Sequence, residues 1–148
     1  MGDVSQIQYN RMRVADLKAL IGRVASIKDD LIFMLKELGG TPEFLGNRTL
    51  IRDGYLCKLY TLIWNSGRLT CVSCTGKFNF TINDLAHVFG QYHVIKSARD
   101  DYYAFVFYPD QLKLNETVRV RVDPAEVEKS TAKIYEGGIN IIDIFFEQ

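Results

Sequence analysis

Three cysteines are the residues of this chain whose type and spacing could carry metal or redox chemistry. Cys71 and Cys74 have the spacing of a zinc knuckle or a redox pair, and Cys57 stands apart from them. A knuckle needs further ligands, but there is no second cysteine pair, and His87 and His93 fall in a predicted helix and just after it. On a strand, Cys71 and Cys74 would also point to opposite faces. The sequence therefore predicts buried thiols in a reducing compartment, with no metal and no cofactor.

Groups that could catalyse a reaction are scarce elsewhere in the chain. There is no glycine-rich phosphate loop, no His/Glu metal spacing and no evident pairing of a nucleophile with a base. Asp100 and Asp101 are the only clustered acids that could form a site. Adjacent residues on a strand face apart, and in a turn such acids are usually solvated. We therefore predict that the chain is not an enzyme and has no small-molecule substrate.

Residues 100–108 are rich in aromatic side chains and contain neither glycine nor proline, which predicts a strand. Period-two alternation places Tyr103, Phe105 and Phe107 on one face. The opposite face carries Tyr102, Ala104, Val106 and Tyr108. Because both faces are apolar, the strand is predicted to lie centrally in its sheet, or one of its faces is a binding platform.

Composition sets the broad class of the protein. The chain has 148 residues, of which 47% are hydrophobic, and its 18 basic side chains equal its 18 acidic ones. This predicts one folded domain, or a small domain with a helical extension, without a global field that would attract polyphosphate. No apolar signal region or run of transmembrane length is evident. We expect a cytoplasmic or nuclear protein that does not enter membranes.

Residues 11–38 carry apolar side chains at steps of three and four, which predicts an amphipathic helix. A break near Ser26 is possible, but one long helix is favoured, ending at Gly39 and Gly40. The apolar stripe either packs into a core or serves as a docking and dimerisation face. The residues of the stripe that are candidates for partner binding are Leu17, Ile21, Val24 and Leu31.

The segment that follows is ambiguous. Residues 41–45 are predicted to form a short turn, and residues 47–52 a short apolar–polar segment. Whether residues 54–64 are helical or extended is undecided: they fit a helix capped by Asp53, or residues 59–64 form a strand that turns at residues 65–67 into the next strand. The apolar spacing favours the helix.

From residue 68 onward the pattern is clearer and predicts an α+β fold. Strands are expected at residues 69–74, 92–97, 100–108, 117–122 and 139–146, with loops at 75–80 and 109–116. One helix is expected after Thr81, ending near Gly90. A second is expected to start at Asp123 and Pro124 and to end at residues 137–138.

This order resembles that of an RNA-recognition motif. It is the split β-α-β-β-α-β arrangement with one extra strand, and Tyr103, Ala104, Phe105, Val106 and Tyr108 match the motif's third-strand signature. Residues 68–148 look most like the version found in poly(A)-specific ribonucleases, on the segments 83–89, 100–106 and 133–136. The resemblance implies an RNA-recognition-motif-like sandwich at 68–148, preceded by a helical extension at 1–67 that carries the long amphipathic helix.

The resemblance also implies a site and a strand order. RNA would stack on Tyr103 and Phe105 with help from the cationic side chains Arg99, Arg119 and Arg121. Residues 69–74 and 100–108 would lie side by side at the centre of the sheet. The opposite face of the aromatic strand, with Ala104, Val106 and Tyr108, would then pack under the two helices.

Departures from the family pattern weaken the RNA-binding prediction. Cys71 replaces the aromatic residue of the first strand, and Asp101 stands where a basic residue would meet phosphate. Ala98 and Arg99 stand where the family has its cap-stacking tryptophan. The deadenylase chemistry of the family belongs to a separate domain. We therefore favour a protein-interaction or scaffolding module of an RNA-processing complex, with oligomerisation through the N-terminal helix. The alternative is weak binding of single-stranded RNA or of an mRNA cap.

Overall fold

A computed structural model describes residues 12–27, 29–96, 103–108, 117–124 and 138–147, with only the backbone described for some strand residues, including Tyr103 and 117–124. The helices are α1 (Val14–Ile27), α2 (Leu31–Leu38) and α3 (Ile82–Phe89). The strands are β1 (Thr41–Leu45), β2 (Arg48–Arg52), β3 (Leu59–Asn65), β4 (Arg68–Thr81), β5 (Tyr92–Lys96), β6 (Tyr103–Phe107), β7 (Thr117–Pro124) and β8 (Gly138–Glu147).

The N-terminal apolar stripe belongs to two helices, so the prediction of one long helix is wrong. Asp30 has an extended backbone and caps α2, where its carboxylate accepts a hydrogen bond of 3.2 Å from the Phe33 backbone N–H. An aspartate at such a position favours a new helix start over continuation of the preceding helix. The predicted end at Gly39 is confirmed, since Gly39 is the C-cap with φ of 69°.

Residues 41–65 form three strands, so the predicted turn at 41–45 and the favoured helix at 54–64 are both wrong. Tyr60 and Leu62 alternate with less buried residues along β3, which is the pattern of a strand with one covered face. A two-residue turn at Ser66 and Gly67 connects β3 to β4. Both residues have positive φ, 52° and 79°, which suits the twist of a tight hairpin.

All eight strands join one antiparallel sheet in the order β1-β2-β3-β4-β8-β7-β6-β5. The predicted α+β class is therefore confirmed. The predicted contact of residues 69–74 with the aromatic strand is wrong, because β8 and β7 lie between β4 and β6. The predicted loop at 75–80 is also part of β4, whose pairing with β8 shifts register there. The predicted domain boundary at residue 67 falls in the turn between two paired strands.

Helix α3 follows its sequence prediction at both ends. The Thr81 hydroxyl accepts a hydrogen bond from the Asp84 backbone N–H at 3.2 Å, and the Asp84 carboxylate accepts one from the Thr81 N–H at 2.8 Å. This reciprocal pair is a capping box. Gly90 closes the helix with φ of 82°. Local capping chemistry thus fixes the element that connects the two halves of the sheet.

Replacing Thr81 with alanine should lower the free energy of unfolding by about 1 kcal/mol, because it removes the acceptor for one helix N–H. Urea denaturation followed by circular dichroism measures the loss. Thr81→Ser keeps the hydroxyl and should stay close to wild type. Equal losses for both variants would show that the hydroxyl contributes nothing to the helix.

The helices pack with the sheet around a single core. Helix α3 contacts β4 and β6 and also α1, while α1 contacts α2. The apolar stripe of α1 enters the same core as the covered side chains of the sheet. The core residues of α1 are Leu17, Leu20, Ile21 and Val24. The principal sheet residues in that core are Ile51, Tyr60, Leu62, Val72, Cys74, Phe105, Phe107, Ile142, Ile144 and Phe146.

Strand β6 presents Phe105 and Phe107 to the core, which is the reverse of the predicted register. The Phe107 ring lies 6.1 Å from the ring of Phe89 on α3. Ala104 and Val106, which were predicted to pack under the helices, are buried but lie outside that core cluster, and Tyr108 is exposed. The predicted helix after Pro124 falls outside the described residues, and Asp123 and Pro124 themselves belong to β7.

Candidate functional site

The residues predicted to bind RNA do not form an open aromatic platform. Phe105 is only 1% exposed, and its ring lies 5.8 Å from that of Tyr92. A base therefore has no face of Phe105 to stack on, and its predicted role as a stacking residue is wrong. Tyr103 lies on β6, but its side chain is outside the described part of the structure. Arg99 is outside it altogether.

The two remaining predicted cations lie on β7, one strand away from β6. The backbone of Arg119 pairs with Phe145, and that of Arg121 pairs with Asp143 on β8 and with Val106 on β6. Only the backbone of β7 is described, so the structure gives these residues a register position.

The residues of the N-terminal helix that were predicted to bind a partner are instead buried in the core of the chain. Leu17, Ile21 and Val24 are fully buried, and Leu31 is partly buried against the same core. The proposal of an exposed docking stripe is therefore wrong. The stripe is covered within one chain, by helices α2 and α3 and by the core cluster that it shares with the buried side chains of the sheet.

Large apolar side chains that are exposed fall into two groups. One group spans α2 to the segment after β2 and consists of Ile32, Phe33, Phe44, Leu45 and Tyr55. The other lies at β5 and the end of β6 and consists of Val94, Ile95 and Tyr108. Exposed apolar groups of this kind mark surfaces to consider for protein contacts.

The two edges of the sheet differ in how they are protected. Strand β1 contains Pro42, which has no backbone N–H, and Glu43, and both are devices that discourage pairing with another strand. Strand β5 has no proline or glycine, its one lysine, Lys96, stands at its last position, and among the described strands it pairs with β6 alone. Val94 is 43% exposed and Ile95 is 50% exposed. The β5 edge thus offers an extended backbone with apolar side chains on both faces.

A second candidate site is a pair of thiols at the other end of the sheet. All three cysteines are buried and outside any disulfide, as predicted. Cys57 and Cys74 belong to the same buried core cluster, and Tyr60, three residues after Cys57, pairs with Cys74. The Cys57 Sγ also lies 3.1 Å from the carbonyl oxygens of both Leu59 and Thr75 and can donate to one of them at a time.

The two thiols have different acidities. Interaction with the Cys74 thiol lowers the pKa of the Cys57 thiol, against the opposing effect of burial. The same interaction, together with burial, raises the pKa of Cys74. Tyr60 pairs with Cys74 across the hairpin, and burial raises the pKa of its hydroxyl as well. Cys57 is therefore the member of the pair that forms a thiolate more readily.

An open cleft of about 370 Å³ lies beside this pair, and its lining includes the two residues whose carbonyl oxygens contact the Cys57 thiol. The cleft is lined by Arg52, Asp53, Lys58, Leu59, Thr75 and Gly76. Two of these side chains, Arg52 and Lys58, are cationic. In the part of the chain that the structure describes, no three His, Cys, Asp or Glu side chains are grouped as metal ligands.

The cysteine spacing pointed only to Cys71 with Cys74, whereas in the structure it is Cys57 whose thiol contacts the strand that carries Cys74. The signal lay in the hairpin alternative for residues 54–64, because only that alternative brings residue 57 back to residue 74. Within the described residues, no helix combines the length and apolar character needed to cross a membrane. Comparison of the chain with protein-family models, curated proteins and solved structures finds no match.

Proposed function

We propose that this chain is a protein-interaction module that docks an extended strand on the β5 edge, and that the docked strand is β5 of a second copy. The observation that supports this is the edge at Val94 and Ile95, whose apolar side chains are exposed and which lacks the proline that interrupts the β1 edge. Strand addition satisfies backbone N–H and C=O groups of the edge and covers apolar side chains at the same time.

The sequence of β5 is compatible with a symmetric antiparallel partner. In a twofold arrangement centred on Val94, this residue opposes Val94 of the second copy. His93 then opposes Ile95, and Tyr92 opposes the lysine at position 96, so no two like charges meet. The chain has a formal net charge of zero, so two copies approach without overall repulsion.

Only the sequence resemblance bears on the biological setting of this proposal. An RNA-processing complex remains a prediction of that resemblance, and the strand order gives it no support. The proposed function does not include RNA binding by Phe105, because its ring is buried.

Replacing Val94 with lysine should convert a dimer into a folded monomer, because two ammonium groups would oppose each other at the twofold axis. We expect the dimer dissociation constant to rise by at least about tenfold, equivalent to about 1.4 kcal/mol. Sedimentation equilibrium measures the change, and circular dichroism verifies folding. Val94→Glu should have the same effect by itself.

Mixing the Val94→Lys and Val94→Glu variants should restore a heterodimer, because position 94 meets its own equivalent in this register. Ile32→Lys is the matched control, since Ile32 is 68% exposed on α2, away from β5, and it should leave the dimer intact. A wild type that stays monomeric at high micromolar concentration would overturn the proposal. A mixture that does not dimerise, or an Ile32→Lys variant that loses the dimer, would place the contact elsewhere.

A further inference from the structure

We propose that the open cleft at the end of β2, β3 and β4 is a binding site for a small organic monocarboxylate, whose carboxylate group is held by Arg52 and Lys58. The cleft has a volume of about 370 Å³, at the lower end of the range of about 300–1,000 Å³ for small-molecule sites. The inference is independent of self-association, because β2, β3 and β4 lie in the other half of the sheet from the proposed dimer edge β5.

Cross-strand pairing brings three of the lining residues into one row. Arg52 on β2 pairs with Leu59 on β3, and Leu59 pairs with Thr75 on β4. Residues that lie directly opposite each other in an antiparallel sheet project to the same face. The guanidinium of Arg52 therefore shares a face of the sheet with the apolar side chain of Leu59 and with Thr75, which gives the cleft a cationic group next to an apolar one.

A β-bulge lies on the β4 side of the cleft. Thr75 pairs with Ile141 and Phe78 pairs with Ile139, so β4 advances three residues where β8 advances two. Such an extra residue bends a strand locally, and bulges are over-represented next to active sites. Gly76 lies within this bulge and lines the cleft, so no side chain fills the cleft from that position.

The segment that carries Lys58 is held in place by backbone hydrogen bonds. The Asp53 N–H donates to the Lys58 carbonyl oxygen at 2.7 Å, which closes the loop between β2 and β3. Within that loop, the Tyr55 N–H donates to the Leu38 carbonyl oxygen at 2.9 Å and ties the loop to the end of α2. The loop backbone is thus ordered without a ligand, so binding costs less conformational entropy.

The charges that line the cleft favour a singly charged anion. Arg52 and Lys58 contribute two positive charges and Asp53 contributes one negative charge, which leaves one net positive charge. Glu43 lies outside the lining and forms an ion pair of 3.5 Å with Arg52, in which the side chains of Arg52 and Glu43 are 58% and 49% exposed. Such an exposed pair contributes little stability, so Arg52 can exchange it for a ligand. Lys58 is exposed as well.

A carboxylate with a short alkyl chain suits this lining. The planar guanidinium of Arg52 can bind a carboxylate through two parallel hydrogen bonds, and the Lys58 ammonium supplies a further donor. The alkyl chain would contact the apolar side chain of Leu59. A phosphate carries more than one negative charge at pH 7, which exceeds the net charge of the lining, and inorganic phosphate has no apolar part. The cleft is therefore expected to prefer the carboxylate.

The test is a titration of the full chain with sodium butyrate at constant ionic strength, in which two-dimensional NMR follows the backbone amide resonances. We expect saturable shifts at the cleft, in residues 52–59 and 75–76. Acetate should bind at least about threefold more weakly than butyrate, because it lacks two methylene groups that Leu59 would cover. Inorganic phosphate should also bind more weakly than butyrate.

Arg52→Gln and Lys58→Gln should each raise the butyrate dissociation constant by about tenfold, because each removes a charge-assisted hydrogen bond. Arg48→Gln is the matched control, since Arg48 is exposed at the other end of β2 and does not line the cleft, and it should leave the constant unchanged. The amide spectrum of each variant verifies folding. Shifts that do not saturate, tighter binding of phosphate than of butyrate, or an equal effect of Arg48→Gln would each overturn the proposal. The first two of these outcomes need no variant to fold.

Discussion

Replacing Ile21 with aspartate should leave most of the chain unfolded under conditions in which the wild type is folded. Ile21 is 0% exposed and lies on the stripe of α1 that enters the core with Leu17 and Val24. A carboxylate placed there has no described partner and must either lose its hydration or become protonated, at a cost of several kcal/mol. The loss of apolar contacts adds to that cost. Since small domains are stable by only about 5–15 kcal/mol, we expect a loss above about 4 kcal/mol.

Ala19→Asp is the matched control, because Ala19 is exposed on the same helix. It should cost only about 0.5 kcal/mol through helix propensity. Far-ultraviolet circular dichroism and urea denaturation measure both variants. If the stripe were a docking face, Ile21→Asp would fold normally and lose only a partner. A well-folded Ile21→Asp variant would thus contradict the placement of α1 on the core.

Elements whose limits are set by local chemistry were predictable from the sequence. Helix α3 is bounded by Thr81 and Gly90 because a hydroxyl cap and a positive-φ glycine act within one turn of the helix. Gly39 ends α2 for the same reason. The strands at β5, β6 and β8 carry aromatic and β-branched runs without breakers, so they too could be located.

The first three strands could not be assigned in this way. Residues 56, 59, 60 and 63 carry apolar side chains at a spacing that suits a helix, although β3 is a strand. Its conformation is decided by pairing with β2 and β4, which are distant contacts that a local window does not contain. The order of strands in the sheet depends on the same long-range pairing, so the implied neighbourhood of β4 and β6 was wrong.

The candidate sites were missed for related reasons. Alternation along β6 defines two faces but does not say which one is covered, because Ala104 and Val106 are as apolar as Phe105 and Phe107. The bulkier face packs against α3. Similarly, the Cys57 thiol contacts Thr75 on β4 only once β3 and β4 form a hairpin, and the competing helix prediction concealed that contact.

Replacing Phe107 with alanine should lower the free energy of unfolding by about 3–5 kcal/mol, the range for removing a buried aromatic ring. Phe107 is 0% exposed, and its ring lies 5.2 Å from that of Tyr92 and 6.1 Å from that of Phe89. The cavity left behind would be lined by large rings whose movement is limited by β5 and α3. Urea denaturation at a fixed protein concentration measures the loss, since any self-association adds a concentration-dependent term.

The same substitution at Phe44, which is 60% exposed on β1, should change the unfolding free energy by no more than about 0.5 kcal/mol. A double-mutant cycle of Phe107→Ala with Phe89→Ala should show a coupling of about 0.5–1.5 kcal/mol, because tilted ring pairs at this distance attract beyond their burial. The register that places Ala104 and Val106 under the helices makes the opposite prediction. In that register Phe107 would lie on the outer face, Phe107→Ala would resemble Phe44→Ala, and no coupling with Phe89 would be measured.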